Sequence, residues 1–268
     1  MNGTDDLTLA LECADLADEI SLSRFLAQDL LVETKPDRTP VTDADKAVEE
    51  AIRAHIAKAH PRDAIVGEEF GDNRPTDVER YWVIDPIDGT ANFLRGVPTW
   101  ATLIALIEKR GEREKVVAGV VSAPALFRRW YAAAGRGAFV IDGVTAPRRI
   151  QVSHVSALKD ASLAYSDFKG WGERLTPWQK VLEQSWRTRG YGDFWSHMLV
   201  AEGAVDAAAE PSLKLWDMAA LDIIVREAGG RFTDLDGHDG PFGLSALTSN
   251  GLLHDEIVSH MTDQNREK

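Results

Sequence analysis

The short apolar run Trp82-Val83-Ile84 leads directly into Asp85-Pro86-Ile87-Asp88-Gly89-Thr90. A strand that ends on a carboxylate, stiffens at a proline and meets a second carboxylate three residues later constrains the chain more than any other feature. Pro86 fixes the exit, and Asp88 stands at the expected start of a helical turn, so both acids can point to one spot. Gly89 lets a ligand approach the backbone closely and exposes its N–H and that of Thr90 to an anion. A helix-capping Asp beside a solvated Asp accounts for the same spacing, and spacing alone does not choose.

The surrounding pattern mixes helix and strand. Leu9, Cys13, Leu16 and Ile20 recur at helical spacing, which predicts an amphipathic helix over residues 5–25. Thr42 is a good N-cap with acids in the following turn, and Val48, Ile52 and Ile56 make an apolar stripe, so a second helix is expected over 43–60, stopped by Pro61. Strand-type runs lie at 30–34, 64–67, 81–84, 101–107, 115–121 and 129–133. Beyond about residue 150 the alternation resumes, with strands at 161–166, 185–189, 204–209 and around Phe232 and Leu247. Helices are expected there at 177–184, 194–202, 216–228 and 252–261, the third closed by Gly229-Gly230. No repeat or low-complexity linker divides the chain. One layered α/β domain over 1–268 is expected, with a soft boundary near 148–156 and the site between the halves 1–150 and 151–268.

Acidic residues number 43 against 30 Lys and Arg, a net charge of −13, which repels nucleic-acid backbones and anionic lipid. Partners of those two classes are not expected. The N-terminus carries acids where a signal peptide needs a basic start, and no run approaches about 18 uncharged apolar residues. The single cysteine, Cys13, cannot form an internal disulfide, so a reducing, cytoplasmic setting is expected.

Hard divalent cations such as Mg²⁺ take carboxylate and carbonyl oxygens. Besides Asp85 and Asp88, two places offer them. Gly67-Glu68-Glu69-Phe70-Gly71 sets adjacent acids between glycines, although an ordinary turn has the same composition. Asp217, after Trp216, lies in the first turn of a helix, where the helix dipole favours an acid without any metal. Asp234-Leu235-Asp236-Gly237-His238-Asp239-Gly240 lacks the glycine and glutamate of a calcium loop, because those positions hold Asp239 and Ser245, and reads as a surface turn. Gly135-Arg136-Gly137 reads as a turn between strands, and Cys13 as core. The histidines show no zinc spacing.

Taken in order, GEEFG, WVIDPIDGTANF and WDMAALDIIVREAGG resemble the signatures of the inositol monophosphatase-like, Mg²⁺-dependent, lithium-sensitive phosphatases, over about Lys35 to Gly230. SAPALFRRW, RGYGDF, VAEGAVDAAAEP and NGLLHDE look most like the actinobacterial histidinol-phosphate phosphatases within that family. The resemblance implies an αβαβα sandwich, a homodimer and hydrolysis of a small phosphate monoester. It makes Glu68, Asp85 and the Ile87 carbonyl ligands of one Mg²⁺, and Asp85, Asp88 and Asp217 those of a second, with Glu68 beside a weaker third. Thr90 and Asp45 match the pair that orients the attacking water, although Asp45 also reads as a plain first-turn helix acid. Lys35 matches a basic residue near the metals. Asp88, Gly89, Thr90 and Asp217 would also face the substrate, and Arg189, Gly192, Asp193, Phe194 and Glu210 would surround the leaving group. Asp193 alternatively reads as an N-cap. Ala91 departs from the Lys or Thr of many relatives, with altered local contacts expected.

The expected substrate is L-histidinol phosphate, in histidine biosynthesis. Inositol-1-phosphate is the alternative, and a non-catalytic regulator that binds Mg²⁺ or a phosphometabolite is an alternative of another class. A complete set of buried carboxylates argues against the regulator, since unused buried charge costs stability.

Overall fold

The computed structural model describes residues 3–35, 39–71 and 78–262. Helix α1 (Gly3–Arg24) precedes two short antiparallel strands, β1 (Val32–Thr34) and β2 (Pro40–Thr42), and helix α2 (Asp43–Ala59). A larger sheet then runs in chain order through β3 (Ala64–Gly67), β4 (Arg80–Asp88), β5 (Ala101–Arg110), β6 (Arg113–Ala123), β7 (Arg128–Ala133), β8 (Ala138–Asp142) and β9 (Arg148–Ile150). Its β3–β4 pair is parallel and every later pair antiparallel. Helix α3 (Thr90–Leu94) sits between β4 and β5.

The smaller sheet comprises β10 (Ser162–Tyr165), β11 (Arg187–Gly190), β12 (Ala207–Glu210), β13 (Arg231–Thr233) and β14 (Ala246–Ser249). They are ordered β11-β10-β12-β14-β13, parallel across the first three and antiparallel beyond. Helices α4 (Leu175–Gln184), α5 (Asp193–Ala201), α6 (Leu215–Glu227) and α7 (His254–Thr262) complete the chain. Among the described residues no helix is long and apolar enough to cross a membrane.

Three apolar interfaces stack these elements as αβαβα. One face of the larger sheet, with Trp82, Ile84, Ile104 and Val120, packs on Ala14 and Ala17 of α1 and Ile52 and Ile56 of α2. Its other face, with Tyr81, Val83, Leu103 and Trp130, packs on Phe194 and Met198 of α5 and Leu221 and Ile224 of α6. That layer also meets Ala164, Ala208 and Phe232 of the smaller sheet, whose far face covers Trp178 of α4 and Ile257 of α7. Strand β4 is covered on both faces, which explains why it reads as an unbroken apolar run. Burying a side chain such as Ile52 contributes about 1.5–3 kcal/mol.

Three differences from the sequence expectations have physical causes. The buried face of α1 is Leu9, Ala10, Cys13, Ala14 and Ala17, while Leu16 and Ile20 lie at its margin. Small side chains let this helix lie close on the sheet, and they carry little hydrophobic periodicity. Burial pushes the Cys13 thiol up to about 12, in keeping with a core residue. Strand β4 runs on to Asp88 rather than ending at Asp85. Asp85 pairs with Leu103 and Asp88 with Ala101, three steps on one strand against two on its partner, so β4 carries one extra residue there. Such a bulge tolerates Pro86. Strands β2, β8 and β9 were not expected from the pattern, because Pro40 and the Arg- and turn-rich surroundings of the other two mask it.

Candidate metal centre and pocket

In a regular strand, residues 85 and 88 would face opposite sides of the sheet. The bulge reverses that alternation and sends both carboxylates the same way. The N-terminus of α6 brings in Asp217, and one oxygen from each of the three acids lies within 4.8 Å of the others. Backbone donors orient them. The Ile87 N–H donates to Asp85 Oδ1 at 3.0 Å, the Phe194 N–H to Asp88 Oδ2 at 2.7 Å and the Lys214 N–H to Asp217 Oδ2 at 2.7 Å. The last bond is a helix-start interaction, so Asp217 serves the helix and the cluster together.

Burial raises Asp85 well above the usual carboxylate range, reinforced by the charges of Glu68, Asp88 and Asp217. Asp88 is raised by burial and by Asp193 and Asp217. Burial pushes Asp217 up to about 7 in spite of its bond from Lys214. Among the described residues no cationic side chain pairs with any of the three. Lys35 Nζ reaches Glu68 at 2.6 Å and Glu69 at 2.5 Å instead. Hard oxygens that repel one another in a largely enclosed site, with no cationic side chain paired to them among the described residues, fit a divalent ion such as Mg²⁺.

Glu68 borders this trio without joining its tight grouping. Its N–H donates to the Ile84 carbonyl at 3.3 Å, which ties the Gly67–Gly71 loop to β4. The Ile87 carbonyl accepts from Thr90 Oγ1 at 3.0 Å, while the Ile87 side chain lies in the core with Phe93 and Trp100. Thr90 Oγ1 is also 3.3 Å from Asp45 Oδ1. The other oxygen of Asp45 accepts from the Thr42 N–H at 2.8 Å and the Thr42 hydroxyl at 2.6 Å. Asp45 is thus a capping-box acid whose free edge meets Thr90, and burial pushes it up to about 6.

Gly89 has φ +82°, and a Cβ there would lie 3.0 Å from the Thr99 carbonyl and 3.4 Å from Asp193 Oδ2. Both the left-handed backbone and the crowding require glycine. Across the cleft, Asp193 is not the N-cap of α5. Gly192 occupies that position without a side-chain bond, and Asp193 is the first helical residue at φ +51°. Its carboxylate accepts from Asn92 Nδ2 at 2.9 Å, and the next residue, Phe194, holds Asp88. Glu210 is buried. Its Oε2 accepts from Ser166 Oγ, its Oε1 has no partner among the described residues, and burial pushes it up to about 8. Arg189 is exposed on the edge strand β11 and donates to the Thr188 carbonyl at 2.7 Å. No hydrogen bond joins it to another predicted site residue among those described. Ala91 is exposed.

Sequence reasoning assigned no role to Asn92, Ser166 or Glu49. Glu49, four residues before Arg53, accepts from the Glu69 N–H at 2.7 Å and the Phe70 N–H at 3.3 Å. The i, i+4 pair was legible, but its contact with the loop 20 residues away was not. The Asp234 loop closes on itself, since Asp234 accepts from the Asp236 and His238 N–H groups at 2.9 and 2.8 Å. A concavity of about 1240 Å³ lies at the C-terminal end of α6 beside Arg113, Arg226 and Phe242, and Asp85, Asp88 and Asp217 do not line it.

These features define an αβαβα protein with an acidic centre suited to a divalent cation. The chain belongs to the inositol monophosphatase family, whose family model matches residues 5–266. It is 55% identical to a histidinol-phosphatase of Streptomyces coelicolor, over 97% of this chain and 98% of the relative. A histidinol-phosphatase of Mycobacterium tuberculosis is also 55% identical, with 96% and 98% covered. Among solved structures, the extragenic suppressor protein SuhB of Bartonella henselae superposes with a TM-score of 0.85 at 30% identity, covering 96% of this chain and 98% of that one.

Proposed function

We propose that this chain is a Mg²⁺-dependent phosphoric monoester hydrolase that converts L-histidinol phosphate to L-histidinol and phosphate in histidine biosynthesis. The observation that carries this reading is the acidic trio of buried Asp85 and half-buried Asp88 and Asp217 in a chain 55% identical, over almost its whole length, to two histidinol-phosphatases. Glu68 and the Ile87 carbonyl complete the proposed ligand set for two or three ions.

Near neutral pH a phosphate monoester is a dianion and repels hydroxide. Bound Mg²⁺ supplies the neutralising charge and lowers the pKa of a coordinated water. Asp45 and Thr90, 3.3 Å apart, hold the attacking water in line with the phosphorus, with Asp45 Oδ1 as its acceptor. The water oxygen bonds to phosphorus as its proton passes to Asp45 Oδ1, the ester P–O bond breaks, and the leaving alkoxide takes up a proton from solvent water, so that the products are the alcohol and inorganic phosphate. The N–H groups of Gly89 and Thr90 face the phosphoryl oxygens. Asp193, Glu210, Gly192 and Phe194 form the leaving-group side of the pocket. The exposed Arg189 contributes at its rim.

The metal ligands come from both halves of the chain, which supports a single catalytic domain with its site between residues 1–150 and 151–268. A homodimer follows from the family resemblance and is tested by light scattering. A cytoplasmic location agrees with the single, buried Cys13.

The deciding experiment is an assay panel of histidinol phosphate, inositol phosphates and adenosine bisphosphate with Mg²⁺. Preferential release of phosphate from histidinol phosphate is expected. Preference for inositol-1-phosphate would assign the chain to the activity of its Caulobacter vibrioides relative, an inositol-1-monophosphatase 33% identical over 89% of this chain. Mg²⁺ binding without turnover on any ester would mark a regulator.

A further inference from the structure

The two Nδ2 hydrogens of Asn92 have one acceptor each, the Thr99 carbonyl at 2.9 Å and Asp193 Oδ2 at 2.9 Å. The second bond joins α3, which follows the metal-ligand strand, to the start of α5, 101 residues later. Asp193 holds a left-handed backbone, φ +51°, a conformation that Asp enters more readily than most side chains do and that its neighbours hold in place. Two contacts across the cleft do so. The Phe194 N–H is fastened to Asp88 Oδ2 and the Asp193 carboxylate to the Asn92 amide. With Oδ2 engaged, Asp193 Oδ1 makes no hydrogen bond among the described residues and remains as an acceptor for a ligand.

We propose that Asn92 is a positioning residue for substrate selection: its amide fixes the Asp193 carboxylate so that Oδ1 meets a cationic leaving group. This rests on the histidinol-phosphate reading. The leaving group carries an ammonium and an imidazole, and a carboxylate selects such a group only if it is held in register, because a freely rotating one loses ordering entropy on binding. Asn suits the position better than Asp. An oxygen in place of Nδ2 would face two acceptors, the Thr99 carbonyl and Asp193, with no proton to share.

The test is a double-mutant cycle read as selectivity, the ratio of kcat/KM for histidinol phosphate to that for p-nitrophenyl phosphate, whose leaving group has no cation. Asn92→Ala is expected to lower this ratio about tenfold, mainly through KM for histidinol phosphate. In an Asp193→Asn background the same change should alter the ratio by less than about twofold, since the group it positions has lost its charge. Asn92→Asp should lower the ratio further, because it sets a second carboxylate with no proton to share against Asp193. Equal losses on both esters, or full additivity of Asn92→Ala and Asp193→Asn, would overturn the role of Asn92 and leave the substrate reading standing. A wild type without preference for histidinol phosphate would overturn both.

Discussion

Glu49 occupies the space that any side chain at residue 67 would need: a Cβ built on Gly67 would lie 2.0 Å from Glu49 Oε1. The carboxylate cannot swing aside freely. It is fully buried, accepts from the N–H groups of Glu69 and Phe70, and pairs with Arg53 Nε at 2.7 Å. Gly67→Ala is therefore expected to cost about 1–3 kcal/mol in urea unfolding, the scale of an overpacked core site. It should also weaken Mg²⁺ binding in calorimetry, since Glu68 lies on the displaced loop. Unchanged stability and affinity would show that Glu49 moves away without consequence.

Asp85→Asn should abolish turnover, because the proposed bridging carboxylate serves both metals. The structure adds a second expectation. Asp85 is 2% exposed and suffers the charges of Glu68, Asp88 and Asp217, so neutralising it removes buried repulsion from the metal-free protein. Its melting temperature in EDTA should equal or exceed that of the wild type, while the rise on adding Mg²⁺ should shrink. A folded variant that retains substantial activity would refute the two-metal assignment.

Lithium should inhibit at concentrations where sodium does not. A small monovalent ion can enter a site of three carboxylates clustered within 4.8 Å, yet brings half the charge of Mg²⁺ to the phosphate. Phosphate release measured against both salts at optimal Mg²⁺ decides this, and equal responses to the two would count against such a site.

The order of strands and helices was legible wherever apolar side chains recur with one period, as in α2 and the 64–67 strand. It was less legible where small residues form the buried face, as in α1. The acids Asp85, Asp88 and Asp217 were legible as residue types, but their convergence depends on a bulge, and a single extra residue in a strand leaves no composition signal. Asn92 and Asp193 are 101 residues apart, and no local pattern announces a pair at that separation. The sequence leaves Asp193 open between a cap and a pocket acid. The left-handed turn at Gly192-Asp193 that withdraws it from capping is a backbone property that propensity does not encode.

Metal-free stability should fall as pH rises from about 4.5 to about 8, with Glu210 as one cause. Its ordinary value is 4.5, and burial pushes it up to about 8 in the folded chain. Between those values the native state holds a proton that the unfolded chain has released. The stabilising contribution is therefore complete below the lower value and lost as pH passes the upper one. Glu69, pushed up to about 7 by burial, acts in the same direction. Glu210→Gln should flatten the fall without removing it, a difference readable in melting temperatures at pH 5 and pH 8 in EDTA. Parallel profiles for variant and wild type would show that Glu210 ionises normally.

Asp193→Asn isolates the charge of the pocket acid with little disturbance of its shape. Asparagine is among the few residues that tolerate a left-handed backbone, so the φ of +51° is retained at small cost. Its amide oxygen can still accept from Asn92 Nδ2, which preserves the cross-cleft contact. No cap is lost, because Gly192 holds that position. What disappears is a half-buried negative charge near Asp88, whose repulsion raises Asp88, so the metal-free variant should melt at or above the wild-type temperature. Against this, kcat/KM for histidinol phosphate should fall by roughly 1.5–3 kcal/mol, the scale of a hydrogen bond to a charged group. Hydrolysis of inositol-1-phosphate, which offers only neutral hydroxyls, should change much less. Steady-state kinetics on both esters separates the outcomes: equal losses would make Asp193 a structural residue, and a selective loss in a stable variant would identify it as the acid that reads the cationic leaving group.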